Sequence, residues 1–146
     1  MRMTGRMGRL LGVWACLWIA APGAGADART DLAENEAQAA AEVWLSFIDT
    51  GDYKMSWKTA AESFQVAVDK DDWGKTLRTV REPLGPVRSR TLKAKQYAPR
   101  LPGAPDGEYV VLQYTTVFEH KAETVETVTP MRQPDGTWRV AGYYIR

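Results

Sequence analysis

The chain has 146 residues, of which 19 are Lys or Arg and 18 are Asp or Glu, so its formal net charge is +1. This balance disfavours a nucleic-acid partner, because nucleic-acid-binding domains are usually strongly basic, and the length is that of one ordinary domain. One cysteine and one histidine exclude a disulfide framework and disfavour a transition-metal site, so we expect no metal and no cofactor.

Residues 1–26 have the three-part order of a secretory signal. Three arginines come first, an uncharged run follows over residues 10–21, and the small residues of a cleavage site end at Ala26. The apolar run is shorter than the ~20 residues that a membrane-spanning helix needs. We therefore expect a cleavable Sec-type signal peptide, a bacterial periplasmic or secreted protein, and no stable membrane anchor.

Cys16 offers an alternative, because a lipoprotein signal is cut just before a cysteine that then carries lipid. The bulky Trp14 suits such a site poorly, and the apolar run continues beyond the cysteine. The soluble interpretation is therefore favoured over a lipoprotein anchored through Cys16. Cleavage after Ala26 would remove the single cysteine, which suits the periplasm, and three arginines, which takes the net charge from +1 to −2.

The mature chain, residues 27–146, begins with helical patterns. Thr30 is a candidate N-cap for a first helix in which small apolar residues precede large ones, and Gly51 ends it. A second helix is predicted from Asp52. A third is predicted from Asp69 and ends where prolines and a glycine interrupt the pattern.

A basic stretch overlaps the third helix and the segment after it. Residues 73–95 hold seven basic side chains against a single acid, Glu82. A solvated face that complements the acidic first helix is the favoured interpretation, and an anion-binding patch is the alternative.

Strand-forming residues dominate from Val87 onward. Segments 109–118, 123–131 and 137–145 are rich in Val, Thr and Tyr, and turns rich in Pro, Asp and Gly separate them. Short connections favour an antiparallel meander. The predicted fold class is α+β, a single domain in which three N-terminal helices pack on a curved four-stranded antiparallel sheet.

The alternation of side chains along a strand predicts which residues face the helices. Two-residue turns at His120-Lys121 and at Asp135-Gly136 would place a broad set beneath them: Val110, Leu112, Tyr114, Thr116, Phe118, Val125, Thr127, Thr129, Met131, Trp138, Val140, Gly142 and Tyr144. The opposite face then holds Glu126 together with apolar residues such as Val128 and Tyr143. A solvated face should be more polar, so this face either pairs with a second copy or carries scattered exposed apolar residues.

The chain also resembles a known family over nearly all of the mature sequence. The resemblance rests on residues 44–57, on the Arg81-to-Arg90 segment with Pro83-Leu84-Gly85, on the turn-rich segment 102–109, and on residues 114–118, 126–130 and 135–143. These residues are similar to the bacterial exported family called domain of unknown function 4019. The resemblance implies a cone-like fold of the cystatin or nuclear transport factor 2 type, no established reaction and no catalytic residues to transfer.

One polar constellation follows from the predicted register, with Arg90 beside Thr115, and Thr115 beside Glu126, on the second sheet face. An ion pair that satisfies charge on a partly covered face is the favoured interpretation, and a ligand pocket or dimer seam is the alternative. With the acid–base and aromatic groups that could line a cavity, the candidate pocket or interface residues are Asp49, Tyr53, Trp57, Arg90, Tyr114 and Glu126.

These observations favour a non-catalytic binding or interaction module in the periplasm. Its expected partner is a second copy through the sheet face, an unidentified small molecule or another periplasmic protein, and not a nucleic acid. The alternative is a small-molecule cavity enzyme of the isomerase or dehydratase kind. In that case the acid–base groups would come from Asp49, Tyr53, Arg90, Tyr114 or Glu126.

Overall fold

The structure, a computed structural model, describes residues 24–146, and the predicted signal sequence up to residue 23 lies outside the described residues. Helix α1 (Ala24–Asp49) begins earlier than the predicted cap at Thr30. It buries the small residues Ala33, Ala37 and Ala41 first, and the large residues Trp44, Leu45 and Ile48 toward its end. None of the helices in the described part is long and apolar enough to cross a membrane.

The predicted second helix is divided in two. Helix α2 (Tyr53–Lys58) and helix α3 (Glu62–Ala67) are separated by a short break. At this break the Ala61 amide donates to the carbonyl of Val140 at 2.8 Å, so the backbone bonds to the sheet instead of continuing the helix. Helix α4 (Lys70–Val80) and a 3₁₀ turn (Glu82–Leu84) complete the first half. Four α-helices are therefore present in residues 24–146, where three were predicted.

The second half is a four-stranded antiparallel sheet, as predicted. Its strands are β1 (Val87–Ala98), β2 (Tyr109–Phe118), β3 (Lys121–Arg132) and β4 (Trp138–Ile145). They lie in the order β1-β2-β3-β4, which is a meander. The helices cover one face, and the core forms between α1 and the inner residues of β2, β3 and β4.

The predicted face of β3 was wrong. The turn falls on Glu119 and His120, which alone would preserve the alternation. A bulge follows the turn, because Thr116 pairs with Thr124 while Phe118 pairs with Lys121. β3 therefore has one residue more than β2 between these two pairs, and Glu123 within the bulge has φ 55°. One added residue exchanges the two faces of a strand. Consequently Thr124, Glu126, Val128 and Pro130 face the helices, and Val125, Thr127, Thr129 and Met131 do not.

A second bulge, in β4, makes the predicted faces of that strand wrong beyond Val140. Pro130 pairs with Val140 while Thr129 pairs with Gly142, so Ala141 is the extra residue. Trp138 and Val140 face the core as predicted, but beyond the bulge Tyr143 turns inward and Tyr144 is 63% exposed. The register of β1 also differs, since Arg90 pairs with Thr116 and not with Thr115.

Candidate functional site

Charged side chains from four elements meet at one end of the helix–sheet interface. Asp49 is the last residue of α1, Arg81 caps the C-terminus of α4, Arg90 lies on β1, and Glu126 lies on β3. We call these four residues the ionic cluster. Two carboxylates and two guanidinium groups balance in charge, and their side chains are 27%, 5%, 15% and 0% exposed, respectively.

Glu126 is the centre of the ionic cluster. Arg90 donates from Nε to Oε1 at 2.8 Å and from Nη2 to Oε2 at 3.3 Å. The hydroxyl of Thr116 donates to Oε1, and the hydroxyl of Tyr143 donates to Oε2. A fully buried carboxylate is costly unless it is paired and hydrogen-bonded, and these four donors meet that need.

Asp49 joins both arginines and is the most exposed member of the ionic cluster. Arg90 donates to Oδ2 at 2.7 Å and to Oδ1 at 2.9 Å, and Arg81 donates to Oδ1 at 3.0 Å. Partial burial acts to raise the pKa of Asp49, but the hydrogen bonds and charges of Arg90 and Arg81 outweigh it and hold that pKa below 3.8. Likewise, burial acts to lower the pKa of Arg90, but Asp49 and Glu126 raise it.

Arg81 is held by the segment that follows α4. Its Nη1 donates to the carbonyl of Gly85 at 2.9 Å, and its guanidinium carbon lies 4.2 Å from the ring centroid of Phe118, a cation–π contact. Gly85 has φ +73°, and a Cβ there would lie 2.9 Å from the His120 side chain. A glycine is therefore needed where this loop meets the β2–β3 turn.

Two hydroxyls beside the ionic cluster are buried without a partner. Neither the Tyr114 hydroxyl nor the Thr124 hydroxyl has a hydrogen-bond partner among residues 24–146. The Nε atom of Arg81 is also buried without a hydrogen-bond partner among these residues. Tyr114 pairs across the strands with Glu126. Burial, with smaller effects from Glu42 and other nearby charges, raises the pKa of Tyr114 to about 12, so its phenol stays protonated near neutral pH.

Tyr143 differs from Tyr114 because its hydroxyl has an acceptor. Burial first, and then the charge and hydrogen bond of Glu126, raise the pKa of Tyr143. Its ring also packs edge-on against Trp44 at 5.3 Å between centroids. Tyr143 therefore connects the ionic cluster to the aromatic core.

The six candidate residues from the sequence do not form one group. Asp49, Arg90 and Glu126 are in direct contact, and Tyr114 is next to them. Tyr53 shares with Asp49 a depression of about 280 Å³. Trp57 lies elsewhere, with its indole N–H donating to the carbonyl of Val68 at 2.7 Å.

Sequence reasoning missed three members of the network around the ionic cluster. Arg81 was attributed to the solvated basic stretch, and Thr116 and Tyr143 were assigned to sheet faces but not to the polar constellation. Arg81 lies between an amphipathic helix and a Pro-Leu-Gly turn, but Asp49 and Phe118, the residues that it contacts, are remote in sequence. Tyr143 could not be found from the sequence either, because the bulge at Ala141 decides its face.

Neither carboxylate of the ionic cluster is well suited to act as a general base. Glu126 accepts four hydrogen bonds, so no position is left for a substrate proton. Asp49 touches the depression, but a carboxylate with a lowered pKa is a weak base. In residues 24–146 no group of three or more His, Cys, Asp or Glu side chains is placed to hold a metal ion.

Together these features define an α+β domain with an open antiparallel sheet and a neutral, buried ionic cluster. The chain belongs to the family described as "Protein of unknown function (DUF4019)", whose profile matches residues 40–143. The matched segment contains every residue of the ionic cluster and both of its hydroxyl donors. No curated protein and no solved structure matches the chain.

Proposed function

We propose that this protein is an exported, non-catalytic interaction module that pairs with a second copy through the outer face of its sheet. The observation that carries the proposal is the composition of that face, which is the side of the sheet away from the helices. Its residues on the two central strands are uncharged and half-buried: Val111, Gln113, Thr115, Val117, Val125, Thr127 and Thr129.

The uncharged surface continues onto parts of both edge strands, and Arg139, which pairs with Met131, places a charge at its β4 edge. Thr91 pairs with Thr115, and Gln96 pairs with Val111 on the β1 side. Tyr144 pairs with Thr127 on the β4 side and is 63% exposed. Charge is depleted at the centres of protein interfaces, whereas aromatic residues are enriched there. A surface of β-branched residues also suits face-to-face packing of two sheets about 10 Å apart.

The ionic cluster supports a structural role over the alternative of a cavity enzyme. A catalytic carboxylate needs an open side toward a substrate and a pKa near the working pH. Glu126 is fully enclosed by its donors, and Asp49 is held ionised by two arginines. We infer that the cluster fixes α1 and α4 to the sheet, and so keeps the outer face in one shape.

The cone-like architecture and the export route are part of the same proposal. Bulges in β1, β3 and β4 favour a twisted, curved sheet, and the helices of residues 24–146 cover one of its faces. The signal-like order of residues 1–26 supports export to the periplasm, where a thiol-free domain needs no oxidative folding.

The mass of the purified protein in solution tests the pairing. We expect a dimer by light scattering coupled to size exclusion, and we expect Thr127→Arg to give a monomer, because it places a charge at the centre of the face. The matched control is Thr76→Arg, on an exposed position of α4. A wild-type monomer at high micromolar concentration would refute the pairing, as would a Thr127→Arg variant that remains dimeric.

A further inference from the structure

A second surface, formed by two helices, concentrates positive charge. It is a groove of about 420 Å³ between α2 and α4, within the range of about 300–1,000 Å³ typical of small-molecule sites. We call it the basic groove. All of its lining residues belong to these two helices, whereas the proposed pairing surface is the outer face of the sheet, so the two can be tested separately.

The charged residues that line the basic groove are mostly cations. Four of them are basic and one is acidic: Lys54, Lys70, Lys75, Arg78 and Asp71. Among residues 24–146, Lys75 is the only one of the four cations in an ion pair, with Asp72 at 3.5 Å, and both partners are 71% exposed. Solvent screens an exposed pair of this kind, so it removes little of the positive charge.

Most carboxylates near the basic groove already have other roles. Asp69 accepts from two amides at the start of α4, and Asp52 accepts from an amide at the start of α2. Glu82 acts on Tyr53 through its charge and a hydrogen bond, and it is not a lining residue. Asp71 is the single carboxylate of the lining, so the groove keeps an excess of positive charge.

The spacing of residues along α4 brings its side chains to the basic groove. Lys70, Gly74 and Arg78 are four residues apart and therefore lie on one face of the helix. Gly74 is buried and leaves the middle of that face without a side chain. The two cations thus stand at either end of an open stretch of helix.

Two further observations place Arg78 in the basic groove. A Cβ on Gly74 would lie 3.5 Å from Nη2 of Arg78, so the guanidinium lies against this glycine. Burial and the charge of Glu82 raise the pKa of Tyr53, and the charges of Arg81 and Arg78 act to lower it. Because Gly74 and Tyr53 both line the groove, the Arg78 guanidinium is part of the site.

The cations of the basic groove are spread along its length. Lys70 and Arg78 are separated by about 12 Å along the axis of α4, and Lys54 faces them from α2. One small anion would contact only part of this set, whereas a chain of linked anionic groups can contact all of it. Phosphoryl oxygens suit both kinds of cation, since a guanidinium binds them through two parallel hydrogen bonds and an ammonium binds them as a point charge.

We propose that the basic groove binds a linear oligophosphate, whose phosphoryl groups lie along Lys70, Lys54 and Arg78. The excess of positive charge accounts for the anion, and the spread of the cations accounts for its length. Lys75 and Arg78 belong to the basic stretch of the sequence, so the groove gives that stretch an anion-binding role. The proposal does not depend on the pairing of two copies.

Calorimetric titration of the purified protein with tripolyphosphate at low ionic strength tests this proposal. We expect saturable binding of one ligand per chain that weakens as salt is added, and binding of orthophosphate that is weaker by about tenfold or more. Absence of saturable binding up to millimolar tripolyphosphate would overturn the proposal, as would equal binding of orthophosphate. Sedimentation with phosphatidylglycerol vesicles without binding of tripolyphosphate would also overturn it, in favour of a lipid surface.

Neutralising one cation at a time supplies matched variants. Lys54→Gln should weaken tripolyphosphate binding by about tenfold, the usual effect of losing a charge-assisted hydrogen bond. Lys58→Gln, on the same helix but outside the lining of the basic groove, should leave binding unchanged.

Arg78→Gln and Arg100→Gln form a second pair, because both arginines are exposed and Arg100 lies in the β1–β2 connection. We expect only Arg78→Gln to weaken tripolyphosphate binding. Equal weakening by the groove variants and their controls would overturn a defined site, because it would show that binding follows net charge alone. An unfolding curve for each variant verifies that it is folded.

Discussion

Arg90 on β1 reaches across the intervening strand β2 to Glu126 on β3, with 2.8 Å between Nε and Oε1. The same guanidinium binds Asp49 at the end of α1 through both Nη atoms. One side chain thus joins two strands and a helix. Because Glu126 is fully buried, the folded protein requires this ion pair. Removing Arg90 would leave the buried Glu126 carboxylate without its opposite charge.

Arg90→Ala should therefore be strongly destabilising. We expect a loss of about 3–5 kcal/mol in the free energy of unfolding, the usual result of breaking a buried ion pair from one side. Urea denaturation followed by circular dichroism measures it. Adding Glu126→Gln to Arg90→Ala should recover part of the loss, because the unpaired charge disappears. An Arg90→Ala protein as stable as wild type would contradict the structural role of the cluster.

Tyr143→Phe and Tyr144→Phe form a matched pair on adjacent residues. Tyr143 donates to the buried Glu126, and Tyr144 is 63% exposed. We expect Tyr143→Phe to cost about 1.5–3 kcal/mol, typical of a hydrogen bond to a charged group, and Tyr144→Phe to change the unfolding free energy by less than about 0.5 kcal/mol. Similar effects of the two changes in chemical denaturation would show that the Ala141 bulge does not set their faces.

Tyr114→Phe should behave oppositely to Tyr143→Phe. The Tyr114 hydroxyl is buried and has no partner among the described residues, so its removal relieves a desolvation cost. We expect an unfolding free energy within about 0.5 kcal/mol of wild type, or higher. A loss greater than about 1 kcal/mol in the same assay would show that this hydroxyl has a hydrogen-bond partner.

Acid should weaken the contribution of Asp49. Its pKa is below 3.8 in the folded protein, whereas the unfolded chain titrates at the ordinary value of 3.8. The stabilisation is therefore complete above about pH 3.8 and is lost as the pH falls through the folded-state pKa. We expect wild type to exceed Asp49→Asn in unfolding free energy at neutral pH, and the difference to shrink below pH 3.8. Parallel stability curves for the two proteins would refute this.

The mass of the exported protein shows whether residues 1–26 are cleaved off. We expect full-length protein expressed in a bacterium to yield a periplasmic species that begins at Asp27, and Cys16→Ser to leave that species unchanged. Intact-mass spectrometry of the periplasmic fraction measures both. A lipid-bearing species that begins at Cys16 would establish the lipoprotein alternative.

The order of helices and strands was predictable because it depends on local periodicity. The conformation of α1 follows from its apolar stripe, and that of the strands follows from their Val- and Thr-rich composition. The break between α2 and α3 was not predictable, since Ala60 and Ala61 continue the helical stripe. Their fate depends on a hydrogen bond to Val140, which is remote in sequence.

The contact between Arg90 and Glu126 was predictable from the sequence, but its side of the sheet was not. Arg90 and Glu126 were paired correctly as residues but were assigned to the outer face. For Glu126 the error came from Glu123, because a glutamate at φ 55° gives no sequence signal for a bulge. For Arg90 it came from the register of β1, which pairs Arg90 with Thr116 and not with Thr115. Arg81 was missed for a different reason: the partners that bury it, Asp49 and Phe118, are both distant along the chain.

Because of the bulge at Glu123, the length of the β2–β3 hairpin decides which residues of β3 face the helices and which form the outer face. Deleting a single residue there would rotate β3 by half a repeat. Glu126 would then point out of the sheet, and Val125 and Thr127 would replace it beneath the helices. Insertions and deletions are usually tolerated in surface loops, but among members of this family the β2–β3 turn should be the connection whose length drifts least.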